Sequence, residues 1–201
     1  MKPAVYTMPR APRRVVVKHR ADFAALEARA MPEIVTVDKA TECHITPPDV
    51  AARMVEYLGE LGDKQTLEPS AGTGALAQAL IDGGLSRYEL TLIERNIKLS
   101  NMLHRFDGPG VINECFLDYA KQATGKIEFV RILMNPPFRA VRQHVAAARR
   151  LLGSNGHQCA PCLVALVPIT YQADGMETLE ELPRDTFSTA AVSTKIIRFY
   201  A

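Results

Sequence analysis

The strongest candidate for chemistry in this sequence is the run Asn135-Pro136-Pro137-Phe138, which follows an apolar segment that ends at Met134. Proline fixes φ and has no backbone N–H, so the two prolines would form a rigid rim with exposed carbonyls. The side-chain oxygen of Asn135 and the carbonyl of Pro136 can both accept hydrogen bonds from an NH2 group. Phe138 can stack on a planar ring. The run therefore predicts a site for a planar amine.

A glycine-rich segment, Glu68-Pro69-Ser70-Ala71-Gly72-Thr73-Gly74, lies between an apolar run and a predicted helix. Glycines remove Cβ atoms, so a ligand can lie against the backbone, and a helix N-terminus presents free N–H groups beside it. The segment is not a phosphate loop, which requires Gly-Lys-Ser or Gly-Lys-Thr. Glu68 would repel a pyrophosphate and would suit a cationic or amino-bearing ligand.

Two more acids, Glu94 and Asp118, are predicted to close the second and third strands of a sheet. Glu94 comes about 20 residues after the glycines, where an acid hydrogen-bonds ribose hydroxyls in open α/β sheets. The carboxyl ends of parallel strands meet at one edge of the sheet, and ligands bind there. Together with Glu68, the two acids predict a binding site at that edge.

The elements that must position these residues alternate along the chain. Helices are predicted over residues 48–59, 75–81 and 142–152, the first with a proline in its opening turn. Short apolar runs, interpreted as strands, occur at 66–67, 90–93, 111–112, 130–134 and 163–167. This alternation predicts a doubly wound, mostly parallel α/β sheet, and the β-rich segment 186–200 predicts a terminal antiparallel hairpin.

Composition indicates one globular domain. The 201 residues are 47% hydrophobic and 23% charged with a net charge of +2, and no apolar run approaches the roughly 18 residues of a membrane span. We expect a cytoplasmic protein with a basic N-terminal arm over 1–40 and one domain over 41–201. His157, Cys159 and Cys162 have zinc-ligand spacing but no nearby fourth ligand, so no metal site is predicted.

The glycine-rich segment resembles the cofactor loop of class I S-adenosylmethionine-dependent methyltransferases. Asn135-Pro136-Pro137-Phe138 resembles the active-site motif of N6-adenine methyltransferases. The similarity covers residues 45–199 and extends to small adenine methyltransferases of phage and prophage type, on Ile45-Thr46-Pro47, His144-Val145, Leu182-Pro183 and Phe187. It implies a Rossmann-like class I methyltransferase fold with a seven-stranded sheet, and S-adenosylmethionine as the cofactor.

The resemblance also implies a role for each motif residue. Asn135, Pro136, Pro137 and Phe138 would form the catalytic site. Glu94 would hold the ribose hydroxyls of the cofactor, and Asp118 would bind its adenine amino group. In full, the implied cofactor contacts are Thr46, Pro47, Glu68, Pro69, Ala71, Gly72, Gly74, Glu94, Asp118 and Asn135.

The active-site motif specifies an aromatic or amide-like amine without naming the polymer that carries it. N6 of adenine in DNA is the first expectation, and RNA adenine, protein glutamine and a non-catalytic cofactor-binding module are the alternatives. Restriction-type enzymes devote a separate region to target recognition, whereas this chain ends at Ala201. We therefore expect weak sequence selectivity, a preference for single strands, or a partner subunit. Arg139, Arg142 and the basic arm are candidates for phosphate contacts.

Overall fold

A computed structural model of the chain describes residues 45–187 and 192–201. The helices are α1 (Pro48–Leu58), α2 (Ala75–Asp82), α3 (Ile97–Leu103), α4 (Phe116–Ala123) and α5 (Val141–Arg149). The strands are β1 (Thr66–Pro69), β2 (Leu90–Ile93), β3 (Gly110–Ile112), β4 (Arg131–Met134), β5 (Cys162–Pro168), β6 (Glu177–Leu182) and β7 (Thr194–Tyr200). The predicted arm over 1–40 and its boundary with the domain lie outside the described residues.

The strands form one seven-stranded sheet in the order β3-β2-β1-β4-β5-β7-β6. Strands β1 to β5 pair in parallel, whereas β7 is antiparallel to both of its neighbours. The predicted fold class, a mostly parallel α/β sheet with a terminal antiparallel hairpin, is confirmed. The strand order reverses between β1 and β4, and in open α/β sheets a ligand crevice lies outside the carboxyl ends of the strands at this point.

Apolar side chains on the two faces of the sheet form two cores. On one face, Met54 of α1 and Leu80 of α2 belong to the same buried cluster as Val164 of β5. On the other face, Phe116 of α4 and Val145 of α5 are buried with Ile132 of β4. Because both faces are covered by helices, the inner strands are almost entirely buried and mostly apolar, as expected for a parallel sheet. No helix among the described residues is long and apolar enough to cross a membrane.

The position of the terminal hairpin differs from the prediction. The sequence placed it within residues 186–200, whereas its first strand is β6 (Glu177–Leu182) and only its second, β7, lies in the predicted segment. β6 is an edge strand that contains three glutamates and has a single buried residue, Leu182. Charged side chains on an edge strand discourage pairing with other chains, and they also remove the apolar pattern by which strands are recognised.

Candidate functional site

An open cavity of about 310 Å³ lies at the carboxyl edge of the sheet. Its walls come from the segment before α1, the loop after β1, the ends of β2 and β4, and the starts of α4 and α5. Of the residues predicted from the sequence, the ones that line it are Thr46, Glu68, Ala71, Gly72, Glu94, Asn135, Pro137 and Arg139. The reversal of strand order between β1 and β4 therefore brings the two predicted motifs into one cavity.

The loop between β1 and α2 has an unusual backbone. Ser70, Gly72 and Gly74 have φ values of +65°, +55° and +81°. At Gly74 a Cβ atom would lie 2.6 Å from the Phe106 ring and 2.9 Å from Leu103, so only glycine fits. Gly74 is also the N-cap of α2. Gly74 thus serves the close packing of this loop as well as the predicted approach of a ligand.

Glu94, at the end of β2, supports the glycine loop. One carboxylate oxygen accepts a hydrogen bond from the Gly72 backbone N–H at 2.8 Å, and the other accepts one from Asn96 N–H at 2.7 Å. The side chain is 5% exposed and lines the cavity. Its predicted role in binding ribose stays a prediction, while its contact with the loop is a structural role that the sequence did not indicate.

Glu68, the last but one residue of β1, is 2% exposed and lines the same cavity. Burial, followed by the charge of Glu94, raises the pKa of the Glu68 carboxyl well above its ordinary value, and a hydrogen bond from the Ala77 backbone offsets part of this rise. Its Oε2 atom has no hydrogen-bond partner. An unpartnered, buried carboxyl oxygen at a cavity is suited to a ligand that carries N–H donors or a positive charge.

We expect Glu68→Gln to stabilise the ligand-free protein at alkaline pH. Because the pKa of Glu68 is raised in the folded state, folding favours the protonated form. Ionisation of Glu68 lowers the free energy of unfolding as the pH rises from the ordinary carboxyl pKa toward the raised pKa of the folded state. The difference in Tm between Glu68→Gln and wild type should therefore grow from pH 5 to pH 8 in circular dichroism melts.

The exposed Glu181 of β6 provides the control, since Glu181→Gln should change Tm little at either pH. A Glu68→Gln variant that melts below wild type at pH 8 would contradict the expected cost of the buried carboxylate.

Asn135 follows β4 and lies opposite Thr46, which precedes α1. The Asn135 Nδ2 donates a hydrogen bond to the Thr46 hydroxyl oxygen at 3.0 Å. Thr46 is 3% exposed and both residues line the cavity. A hydrogen bond to a buried hydroxyl restricts the side-chain rotation of Asn135 and so fixes the direction of its amide. Thr46, predicted as a contact for the cofactor, therefore also orients the predicted catalytic amide.

The rest of the Asn-Pro-Pro-Phe motif surrounds this amide. Pro137 lines the cavity, Pro136 is buried, and the half-buried Phe138 begins a short 3-10 helix that leads into α5. Pro137 has φ −55° and ψ 122°, an extended conformation that turns the chain away from the strand. The catalytic roles of these residues stay predictions.

Asp118 does not occupy the predicted position. β3 ends at Ile112, and Asp118 lies in the first turn of α4, where its side chain is 57% exposed and pairs with Lys121 at 2.8 Å. The lysine holds the pKa of Asp118 below its ordinary value. The part of this segment that lines the cavity is residues 114–117. The prediction that Asp118 closes the third strand is wrong, because a helix begins at Phe116 and turns Asp118 outward.

Several residues that the sequence did not assign to the site also line the cavity. Among them are Arg95, which follows Glu94; Cys115 and Phe116 at the start of α4; and His144 in α5. The ring centroids of Phe116 and His144 are 5.6 Å apart. Cys115 and Phe116 come shortly after β3, as Glu94 comes after β2. A search for charged residues at strand ends selects Glu94 but not these two, because their side chains carry no charge.

The two arginines proposed as phosphate contacts lie in different surroundings. Arg139 lines the cavity. Arg142 lies outside it, with its guanidinium 5.7 Å from the centre of the Tyr171 ring and donating to the Gln172 carbonyl at 3.2 Å. Arg142 therefore holds the turn that follows β5, and a contact with phosphate stays a prediction for both.

Cys159 and Cys162, which together with His157 have zinc-ligand spacing, do not line the cavity. Cys162 begins β5 and is buried, which raises the pKa of its thiol to about 11. Among residues 45–187 and 192–201, no group of three His, Cys, Asp or Glu side chains is placed to hold a metal ion.

No protein-family model matches the chain, and no curated protein gives a significant match. Solved structures do resemble it. A protein from Pyrococcus horikoshii assigned as an RNA methyltransferase has 17% identity and a TM-score of 0.63, over 92% of this chain and 97% of that one. The methyltransferase subunit of a type I restriction-modification system from Streptococcus thermophilus has 16% identity and a TM-score of 0.63, over 78% and 44%.

A third similar structure is the 16S rRNA methyltransferase RsmC of Thermus thermophilus in complex with AdoMet and guanosine. It has 16% identity and a TM-score of 0.56, over 84% of this chain and 44% of that one. At such low identities the likeness establishes architecture. The chain has the Rossmann-like fold that these methyltransferases share.

Proposed function

We propose that this chain is an S-adenosylmethionine-dependent methyltransferase that acts on an exocyclic amino group, N6 of adenine in DNA. The observation that carries the proposal is the meeting of the glycine loop and Asn135 in one cavity, at the reversal of strand order between β1 and β4. A cofactor in the loop and an amine at Asn135 would then face each other. Fold alone does not establish an activity, and these residues supply the chemistry that the fold does not specify.

The residues of the cavity suit S-adenosylmethionine. The unpartnered oxygen of Glu68 can accept from the ammonium group of the methionine moiety. Glu94 stands at the end of β2, where an acid binds ribose hydroxyls in such sheets. Gly72 lines the same cavity and has no side chain to obstruct a ligand. Bound S-adenosylmethionine supplies a methyl group on a sulfonium, which is an electrophile.

The chain's own residues would hold the acceptor amine in line with that methyl group. The Asn135 amide, oriented by Thr46, and the Pro136 carbonyl accept hydrogen bonds from the amine and draw its lone pair out of conjugation with the ring. Phe138 stacks on the ring. No strong base is needed, because methyl transfer from a sulfonium depends mainly on in-line placement of the two reactants.

Two observations concern the kind of polymer that carries the target amine. The similar structure from a type I restriction-modification system supports DNA, and Arg139 at the cavity can contact the phosphate of either nucleic acid. Two of the similar structures are RNA methyltransferases by name, so RNA is the second candidate. A target base in a duplex would have to be unstacked to reach Asn135, which favours single-stranded or weakly paired substrates.

The test is incubation of the purified protein with tritiated S-adenosylmethionine and, separately, unmethylated duplex DNA, single-stranded DNA, total RNA and a protein lysate. Nucleosides from each labelled polymer are then separated. We expect tritium in N6-methyldeoxyadenosine, and that label should survive ribonuclease treatment. Label confined to RNA or protein would overturn the DNA assignment. Cofactor binding without label in any polymer would overturn the enzymatic proposal in favour of a binding module.

A further inference from the structure

His144 is a buried residue of the cavity that the proposed mechanism does not use. It is the fourth residue of α5, is 7% exposed, and lines the cavity together with Phe116 and Arg95. Its Nδ1 atom is buried without a hydrogen-bond partner. A buried ring nitrogen without a partner costs stability unless a ligand or water satisfies it, so its presence at a cavity needs an explanation.

The surroundings of His144 keep it uncharged. Burial, followed by the charge of Arg95, lowers the pKa of His144 to about 4. At neutral pH the imidazole therefore presents one N–H donor and one acceptor nitrogen, rather than two donors. The Phe116 ring lies 5.6 Å away at an interplanar angle of 48°. The pair forms a wall with an apolar ring face beside a neutral hydrogen-bonding ring.

The strand order indicates which part of the cofactor would reach this wall. From β4 outward, the carboxyl ends carry Asn135, then the glycine loop after β1, then Glu94 after β2, and finally Phe116 after β3. If the methyl group lies at Asn135 and the ribose at Glu94, the adenine ring falls beyond Glu94, toward β3. Phe116 and Arg95, which lie close enough to His144 for a ring contact and a charge interaction, are at that end.

We propose that His144 is a specificity-determining residue that hydrogen-bonds the adenine ring of the cofactor, with Phe116 packing against the same ring. This inference rests on the proposed function, because it requires S-adenosylmethionine to lie in the cavity. It also assigns a residue to the end of the cavity that Asp118 does not reach. A neutral imidazole fits adenine, which offers ring-nitrogen acceptors and an amino donor but no charge.

Two ligands separate the adenine end of the cavity from the amino-acid end. S-adenosylhomocysteine contains the adenine, the ribose and the amino acid, whereas 5′-methylthioadenosine contains the adenine and ribose without the amino acid. His144→Phe keeps a planar ring and removes the hydrogen bond, so it should weaken both ligands about tenfold in calorimetric titrations. His144→Gln, which keeps a donor and an acceptor, should recover part of that loss. Glu68→Gln is the matched control and should weaken S-adenosylhomocysteine alone.

The outcomes are distinct. If His144→Phe binds each ligand as tightly as wild type does, with unchanged Tm, the assignment of His144 is overturned and the proposed function still stands. A loss confined to methyl transfer, with both affinities intact, would also overturn it, because His144 would then act on the acceptor. Failure of wild type to bind either ligand would overturn the proposed function itself. Should His144→Phe unfold, the affinities of His144→Gln decide the matter.

Discussion

Asn135→Ala is expected to lower the rate of methyl transfer by at least about 100-fold, a loss comparable with removal of one preorganised hydrogen-bonding group in an active site. Asn135 lines the cavity and its amide is held by the Thr46 hydroxyl at 3.0 Å. Without the amide, the acceptor amine loses a hydrogen-bond partner and its alignment with the methyl group. Single-turnover rates with tritiated S-adenosylmethionine measure the loss, and calorimetric titration should give an affinity for the cofactor close to that of wild type.

Thr46 provides a matched pair of variants for this prediction. Thr46→Val keeps the shape of the side chain and removes the hydroxyl, so Asn135 loses the acceptor that orients it. Thr46→Ser keeps the hydroxyl. We expect transfer by Thr46→Val to fall about tenfold and that by Thr46→Ser to stay near wild type. An Asn135→Ala variant that loses cofactor binding and transfer together would contradict the assignment of Asn135 to the acceptor amine.

Gly74→Ala is expected to have the largest effect on folding and on cofactor binding. The residue has φ +81°, and an added Cβ would lie 2.6 Å from Phe106 and 2.9 Å from Leu103. Those side chains are 5% and 0% exposed, so neither can move freely. Backbone strain and overpacking together should lower the free energy of unfolding by about 2–4 kcal/mol, measured by urea denaturation. The displaced loop should also weaken binding of S-adenosylmethionine.

Gly125 isolates the contribution of the backbone. It has a similar φ of +76°, yet an added Cβ would meet no atom within 4 Å. Gly125→Ala should therefore cost about 1–2 kcal/mol and leave cofactor affinity unchanged. Equal losses in the two variants would mean that the packing of Phe106 against the glycine loop contributes nothing.

The sheet could be predicted from the sequence because its inner strands are apolar runs separated by helical periodicity. The run at 130–134 and the one at 163–167 lie in β4 and β5, which are buried on both faces. The same criterion failed at β6, where three glutamates on an exposed edge strand hide the β pattern. It also failed at Asp118, because the apolar Phe116 and Leu117 that open α4 resemble the end of a strand.

The candidate site was predictable where the chemistry lies within one motif. Contacts between segments that are distant in the sequence were not predictable. Thr46 and Asn135 are 89 residues apart, and their hydrogen bond depends on the packing of α1 beside β4. The contact of Glu94 with Gly72, and the approach of His144 to Phe116, likewise depend on how helices pack on the sheet. Nothing in the local sequence around these residues specifies their partners.

The reaction proposed for this cavity is transfer of a methyl group from S-adenosylmethionine to N6 of adenine in DNA. The most direct measurement uses S-adenosylmethionine with a trideuterated methyl group, unmethylated single-stranded DNA, and either wild type or Asn135→Ala, followed by mass spectrometry of the nucleosides. We expect trideuterated N6-methyldeoxyadenosine with wild type alone. Its absence from a wild-type reaction in which cofactor binding has been demonstrated would contradict the claim, as would equal amounts from both proteins.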